Sequence, residues 1–277
     1  MKQKCIVMFS GGLDSRLVVK IMQDRGYDVI ALYVKLPFSK DLEKEIKEFC
    51  KKHKVKIKVV DYTKGKLLQE YLKIIKKPKY GKGTGINPCV DCRLFMLKKA
   101  REYANKNKIN LIASGEVLGQ RPMSQHKKAL EITKEESKLK DKLIRPLIEK
   151  GFQGRSRKKQ IALAKKFKIK IPSVGGGCLL CERALTNRFK MLIKNNLIKG
   201  GNVCLLRIGR HFINNKKWIV LGRDVNENKI IEKTKGIKII PKQPGPTAWI
   251  NQKQLIDKAQ KLIKKHSKHN IKEFEVK

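Results

Sequence analysis

Residues 5–15 read Cys-Ile-Val-Met-Phe-Ser-Gly-Gly-Leu-Asp-Ser. The unbroken apolar run predicts a buried strand, and the glycine pair ends it. Beyond the glycines, Leu13, Leu17, Val18, Ile21 and Met22 recur on one face of a helix. At such a junction the glycines let the backbone approach phosphate oxygens with no Cβ in the way. The helix that follows offers unpaired N–H groups and the positive end of its dipole to an anion. Ser10 and Ser15 add hydroxyl donors, and Asp14 is placed to position Mg²⁺ or orient the loop.

Outward from this junction the pattern repeats. Asp28–Val34 predicts a second strand, Leu42, Ile46 and Phe49 an amphipathic helix, and Val55–Tyr62 a third strand. A helix over 67–75, a Lys-, Gly- and Pro-rich loop over 76–88, a helix over 92–104 and a strand at Leu111–Ser114 follow. Strands alternating with helices predict an α/β domain with a doubly wound parallel sheet, covering 1–170. Pro172–Gly177 reads as a hinge, and 171–184 as a cysteine-containing loop that contributes to the active site. A smaller α+β module is expected over 185–250, with a helix at 185–195. Its β-like runs are Val203–Ile208, Phe212–Ile213, Trp218–Leu221 and Ile237–Ile240. A basic helix with Leu255, Ile256, Ala259, Leu262 and Ile263 on one face closes the chain within 251–277.

The 277 residues carry a formal charge of +43. A field of that sign attracts polyanions, so nucleic acid is the first partner to consider. No stretch approaches the roughly 20 apolar residues of a membrane span, and Met1–Phe9 is too short for a signal peptide. The expected location is the cytoplasm, with no membrane partner. Thiols there stay reduced, which turns the seven cysteines toward catalysis or metal binding. Cys5, Cys50 and Cys204 read as packing residues. Cys89-Val90-Asp91-Cys92 and Cys178-Leu179-Leu180-Cys181 form two CxxC pairs. Such pairs suit structural zinc, an Fe–S cluster, or a persulfide with a resolving thiol.

The hexapeptide at 10–15 resembles the signature of the PP-loop ATP pyrophosphatases, which adenylate a substrate and release pyrophosphate. The resemblance implies ATP and Mg²⁺, with Ser10, Gly11, Gly12, Asp14 and Ser15 around the departing pyrophosphate. Ile86–Cys92 resembles the NPDxxC segment of MnmA-type tRNA 2-thiouridylases, with Cys92 at their nucleophile and Cys89 where they carry aspartate. That replacement is similar to tRNA thiolases with a [4Fe–4S] cluster. By this likeness Cys89, Cys92 and Cys178 are the ligands, Cys181 is a substitute, and zinc or a persulfide are the alternatives. With Ala113–Gln125, Arg145–Leu147, Gly176–Leu180 and Gly209–Phe212, nearly the whole chain resembles the MnmA/ThiI-like thiouridylase group. Its C-terminal module is similar to the RNA-binding NFACT-R domain.

The implied activity is an ATP-dependent tRNA uridine sulfurtransferase forming 2-thio- or 4-thiouridine, with Asp14, Cys92 and Cys178 as catalytic residues. The sulfur donor is sulfide or a carrier protein. Gly115 allows close approach to ATP. Arg121, Arg207, Arg210 and Lys217 are the candidate RNA contacts, with Phe212 or Trp218 to stack a base. His211 reads as structural or RNA-contacting. The rival readings are a PP-loop synthetase adenylating a small molecule, and an RNA-binding protein with a vestigial ATP site.

Overall fold

The computed structural model describes residues 2–172 and 177–277 and divides the chain into two compact units. The first comprises 1–62, 77–83 and 87–177, and the second 63–76, 84–86 and 178–277.

In the first unit, strands β1 (Lys4–Met8), β2 (Asp28–Lys35), β3 (Lys56–Asp61), β4 (Leu111–Ser114) and β5 (Leu143–Ile144) form one sheet in the order β3-β2-β1-β4-β5. Every pairing is parallel. Helices α1 (Leu13–Asp24) and α2 (Glu43–Lys52) lie in this unit, as do α4 (Cys89–Lys106), α5 (Lys127–Glu136), α6 (Pro146–Glu149) and α7 (Lys158–Lys166). Both faces of the sheet are covered. Cys5, Val7, Val29 and Ala31 point into one core with Leu17, Val18, Ile46 and Phe49. Ile6, Met8, Ile30, Leu32 and Ile112 point into the other with Leu97, Ala100 and Ala104 of α4. The two-residue period of the pleat distributes one apolar run between two cores, which is why β1 and β2 read as continuous rather than alternating. The expected α/β fold is observed.

The second unit carries an antiparallel sheet of strands β6 (Arg210–Asn214), β7 (Lys217–Leu221), β8 (Ile237–Pro241), β9 (Ala248–Ile250) and β10 (Phe274–Val276), in the order β10-β8-β9-β7-β6. Helix α10 (Ile256–His266) lays Ala259 and Ile263 on Ile219, Leu221, Ile239 and Ile250. Helices α3 (Gly65–Lys76), α8 (Thr186–Lys194) and α9 (Val225–Lys233) complete it.

Several expected boundaries shift. Helix α3 is placed in 1–170 by its position in the chain, yet it packs on α8 and belongs to the second unit. Its buried Leu68, Tyr71, Leu72 and Ile75 offer an apolar face to either unit, and periodicity does not name the partner. The apolar run at 203–208 falls in a 3₁₀ helix, Gly200–Arg207, rather than a strand. Short apolar runs do not separate the two by period. The chain ends in β10 rather than in the helix, because Phe274–Val276 pairs with β8. Most of the hinge expected at 172–177, with Gly176, lies outside the described residues.

Candidate active site

Helix α1 starts at the glycine turn. Gly11 has φ +76°, and a Cβ there would lie 2.9 Å from Ile46; an L side chain is excluded by conformation and by space. Gly12 caps the helix in extended conformation with no side chain to close it, so the first-turn N–H groups face outward. The Ser15 hydroxyl donates to the Gly12 carbonyl at 2.9 Å. Buried Arg16 donates through Nε to the Gly11 carbonyl at 2.8 Å and through Nη1 to the Lys170 carbonyl at 3.1 Å. The guanidinium thus braces the loop from behind.

Asp14 is the group under tension. Its Oδ1 is buried with no hydrogen-bond partner. Burial pushes its carboxyl above the usual carboxylate range, opposed by the Gln120 side chain and the charges of Arg157 and Arg121. An orphaned, desolvated carboxylate oxygen beside a phosphate-type loop fits a divalent cation, whose charge would replace the lost water.

The next strand closes the site. Ser114 of β4 pairs with Met8, and the following Gly115 touches the loop; a Cβ there would lie 2.9 Å from Asp14 C and Ser15 N. The chain then turns through Gly119, whose N–H donates to the Gln125 carbonyl at 2.7 Å. Exposed Arg121 stands on this turn.

The first CxxC pair opens α4. Cys89 is its first residue, and the Cys92 N–H donates to the Pro88 carbonyl at 2.8 Å. Asp91 collects the backbone N–H groups of Lys79 and Tyr80 at 2.8 and 3.0 Å, tying the lysine-rich loop to this turn. The Asn87 amide donates to Cys89 Sγ at 3.2 Å. One residue past Cys92, Arg93 Nε donates to Glu116 Oε1 at 2.7 Å. Glu116 follows Gly115, so the glycine loop and Cys89–Cys92 share the carboxyl edge of the parallel sheet. Nucleotides bind at that edge where strand order reverses, here between β1 and β4.

In the second unit Cys178 caps the 3₁₀ turn Leu179–Cys181, and the Cys181 N–H donates to the Cys178 carbonyl at 2.9 Å. Leu180 accepts the Ile86 N–H at 3.0 Å. Arg207 is half-buried, with its pKa lowered chiefly by burial, against the charges of Cys178 and Glu182. Arg210 and Lys217 are exposed and lie near opposite ends of the β6–β7 hairpin. Cys5 and Cys50 are buried, as packing residues would be, whereas Cys204 is exposed. Among the described residues, no group of three or more His, Cys, Asp or Glu side chains is placed to hold a metal ion. The expected [4Fe–4S] site of Cys89, Cys92 and Cys178 therefore gains no support. A cluster or structural zinc requires three or four such ligands.

His211 is structural. Nδ1 accepts the Trp218 indole N–H at 3.1 Å, and Nε2 meets the Ile208 carbonyl at 2.8 Å, which selects the neutral tautomer protonated at Nε2. Burial depresses its pKa to about 4. Its contribution to stability is present above the ordinary value of 6.5 and is lost as pH falls from there through about 4. Acidification across that window should cost about 3 kcal/mol. Urea unfolding of wild type and His211→Gln at pH 7 and pH 4.5 checks it; equal acid losses in the two proteins would remove His211 as the cause.

The family model described as "Thiamine biosynthesis protein (ThiI)" matches residues 1–174. The chain belongs to the ThiI family. The match spans the sheet, the glycine loop and the Cys89–Cys92 helix, and ends before Cys178. The chain is 31% identical over 123 residues to a tRNA-specific 2-thiouridylase MnmA of a Nitratiruptor species, covering 42% of this chain and 35% of that protein. It is 32% identical over 116 residues to an argininosuccinate synthase of Staphylococcus saprophyticus, covering 42% and 29%. A 4-thiouridine synthetase–RNA complex with bound ATP superposes with a TM-score of 0.49 at 18% identity, covering 74% of this chain and 52% of that one. The chain thus spans about a third of the length of these two curated relatives. Among the described residues no helix is long and apolar enough to cross a membrane.

Proposed function

We propose that this ThiI-family chain is an ATP-dependent tRNA uridine sulfurtransferase. The observation that carries the reading is the meeting of Ser10–Ser15 and Cys89–Cys92 on one sheet edge, joined through Gly115, Glu116 and Arg93. Adenylation and sulfur handling then occur in one cleft. A uridine carbonyl oxygen attacks the α-phosphorus of ATP, pyrophosphate leaves, and sulfur subsequently displaces AMP from the activated carbon. Ser10, Gly11, Gly12 and Ser15 hold the leaving pyrophosphate. Asp14 would hold Mg²⁺, which supplies positive charge to the polyphosphate. Cys92, partly exposed at the start of α4, handles the sulfur; no step is routed through a cluster. The charge of +43 supports a polyanionic partner, with Arg121, Arg210 and Lys217 as exposed contacts. Resemblance of 185–250 to NFACT-R belongs to the same proposal, as do Cys178 as a partner thiol, Arg207 as an RNA contact and the cytoplasmic setting.

Mass spectrometry of nucleosides from total tRNA, with and without the gene, is the test. Loss of one thionucleoside is expected; an unchanged profile in a host with no second thiolase rejects the reading. Cys92→Ala should bind ATP and tRNA within about twofold of wild type and lose thiolation, and normal thiolation by that variant would remove Cys92 from the mechanism. The argininosuccinate synthase relatives favour a second reading, a synthetase that adenylates a small molecule. ATP–pyrophosphate exchange that needs a small acceptor and ignores tRNA would select it.

A further inference from the structure

Glu116 is a carboxylate with 1% exposure at the carboxyl end of β4. It is shared between two guanidinium groups. Oε1 accepts Arg93 Nε at 2.7 Å, and Oε2 accepts Arg145 Nε at 2.7 Å and the Ser114 hydroxyl at 2.8 Å. The three elements concerned are the first turns of α4, the end of β4 and the end of β5. Two arginines on one carboxylate leave a net charge of +1 beside the glycine loop.

The two arginines are not equivalent. Arg145 spends Nη2 on the Leu130 carbonyl at 2.9 Å and the Thr133 hydroxyl at 3.3 Å, and so ties α5 to the sheet. Arg93 makes its single ion pair through Nε, among the described residues, and has 20% of its side chain exposed. Among the described residues neither of its Nη groups has a hydrogen-bond acceptor. A buried ion pair adds little to stability compared with an apolar replacement. What the pair does accomplish is to hold a partly exposed guanidinium fork against Glu116, beside the sheet's carboxyl end. A planar fork of that kind matches the oxygens of a phosphate group.

We propose that Arg93 is a phosphate-binding residue of this site and that Glu116 is its positioning residue. The ligand class is a phosphate ester or anhydride, from ATP or from the RNA backbone. The proposal rests on the thiolation reading only for which of these two it is. An Arg93→Met substitution removes the fork and keeps the aliphatic stem. Isothermal titration of the whole chain with ATP and with bulk tRNA is the experiment. Loss of about tenfold in affinity for one ligand is expected. Loss for ATP alone assigns the nucleotide phosphate. Loss for tRNA alone, with the salt dependence shallower by about one in log–log slope, assigns the backbone.

Arg93→Lys should not restore binding, since an ammonium cannot pair with Glu116 and present a planar fork at once. Glu116→Gln, where it folds, should weaken the same ligand as Arg93→Met does and leave the other alone, a split that general loosening would not produce. If wild type binds both ligands and Arg93→Met, with an unchanged melting temperature, binds both within about twofold, the assignment is overturned and the thiolation reading stands. Wild type that binds neither ligand overturns both.

Discussion

Asp14→Ala should stay folded and lose AMP formation by at least about 100-fold, the scale of removing one preorganised electrostatic contact from an active site. The two halves of this expectation have one cause. Asp14 is half-buried, its buried Oδ1 lacks a partner, and its pKa is raised chiefly by burial. A carboxyl whose pKa is higher in the fold than in the unfolded chain opposes folding once pH rises through those values. Removing it should therefore leave the melting temperature at neutral pH unchanged or raise it. Catalysis should suffer, because a desolvated carboxylate beside the phosphate loop has most to gain from a cation on the polyphosphate. Pyrophosphate release at saturating ATP and Mg²⁺, read beside a thermal melt, tests both halves. A variant that keeps its rate removes Asp14 from the chemistry, and one that unfolds shows the residue to be structural.

The largest effect on stability is expected at Glu116. Alanine there would strand Arg93 and Arg145 against each other at the sheet edge, at a cost of about 3–5 kcal/mol. The two guanidinium groups overcome the burial penalty and hold the Glu116 pKa at about 2, below its ordinary 4.5. A depressed carboxyl pKa stabilises the fold above the unfolded value, so this contribution is whole above pH 4.5 and fades as pH falls toward 2. The difference in urea midpoint between wild type and Glu116→Ala should be widest near pH 7 and should narrow in acid. A difference below about 1 kcal/mol at pH 7 would mean that water solvates the arginines in the variant.

The architecture of the first unit was legible because its strands carry their own signal. Cys5–Met8 and Val29–Tyr33 are apolar without interruption, which only a strand buried on both faces requires. The glycine loop was legible for a local reason, since Gly11 needs both a positive φ and the space beside Ile46. Cys89 and Cys92 declared themselves by spacing. Tertiary structure decided what those residues meet. That Gly115 presses on Asp14, and that Arg93 reaches Glu116, depends on β4 lying beside β1, with α4 starting at the carboxyl edge. A lone glutamate after an apolar strand, an arginine after a cysteine and an arginine before a proline carry no common period.

The assignment of α3 was settled in the same way. An amphipathic helix states that it has an apolar face, and only packing states which core receives it. The sequence alone thus determined four of the sheet's five strands, the loop and the candidate cysteines, because each is set by residues close along the chain. The charge pairing around Glu116 and the membership of α3 were left to the tertiary structure, because both depend on groups the chain brings together from far apart.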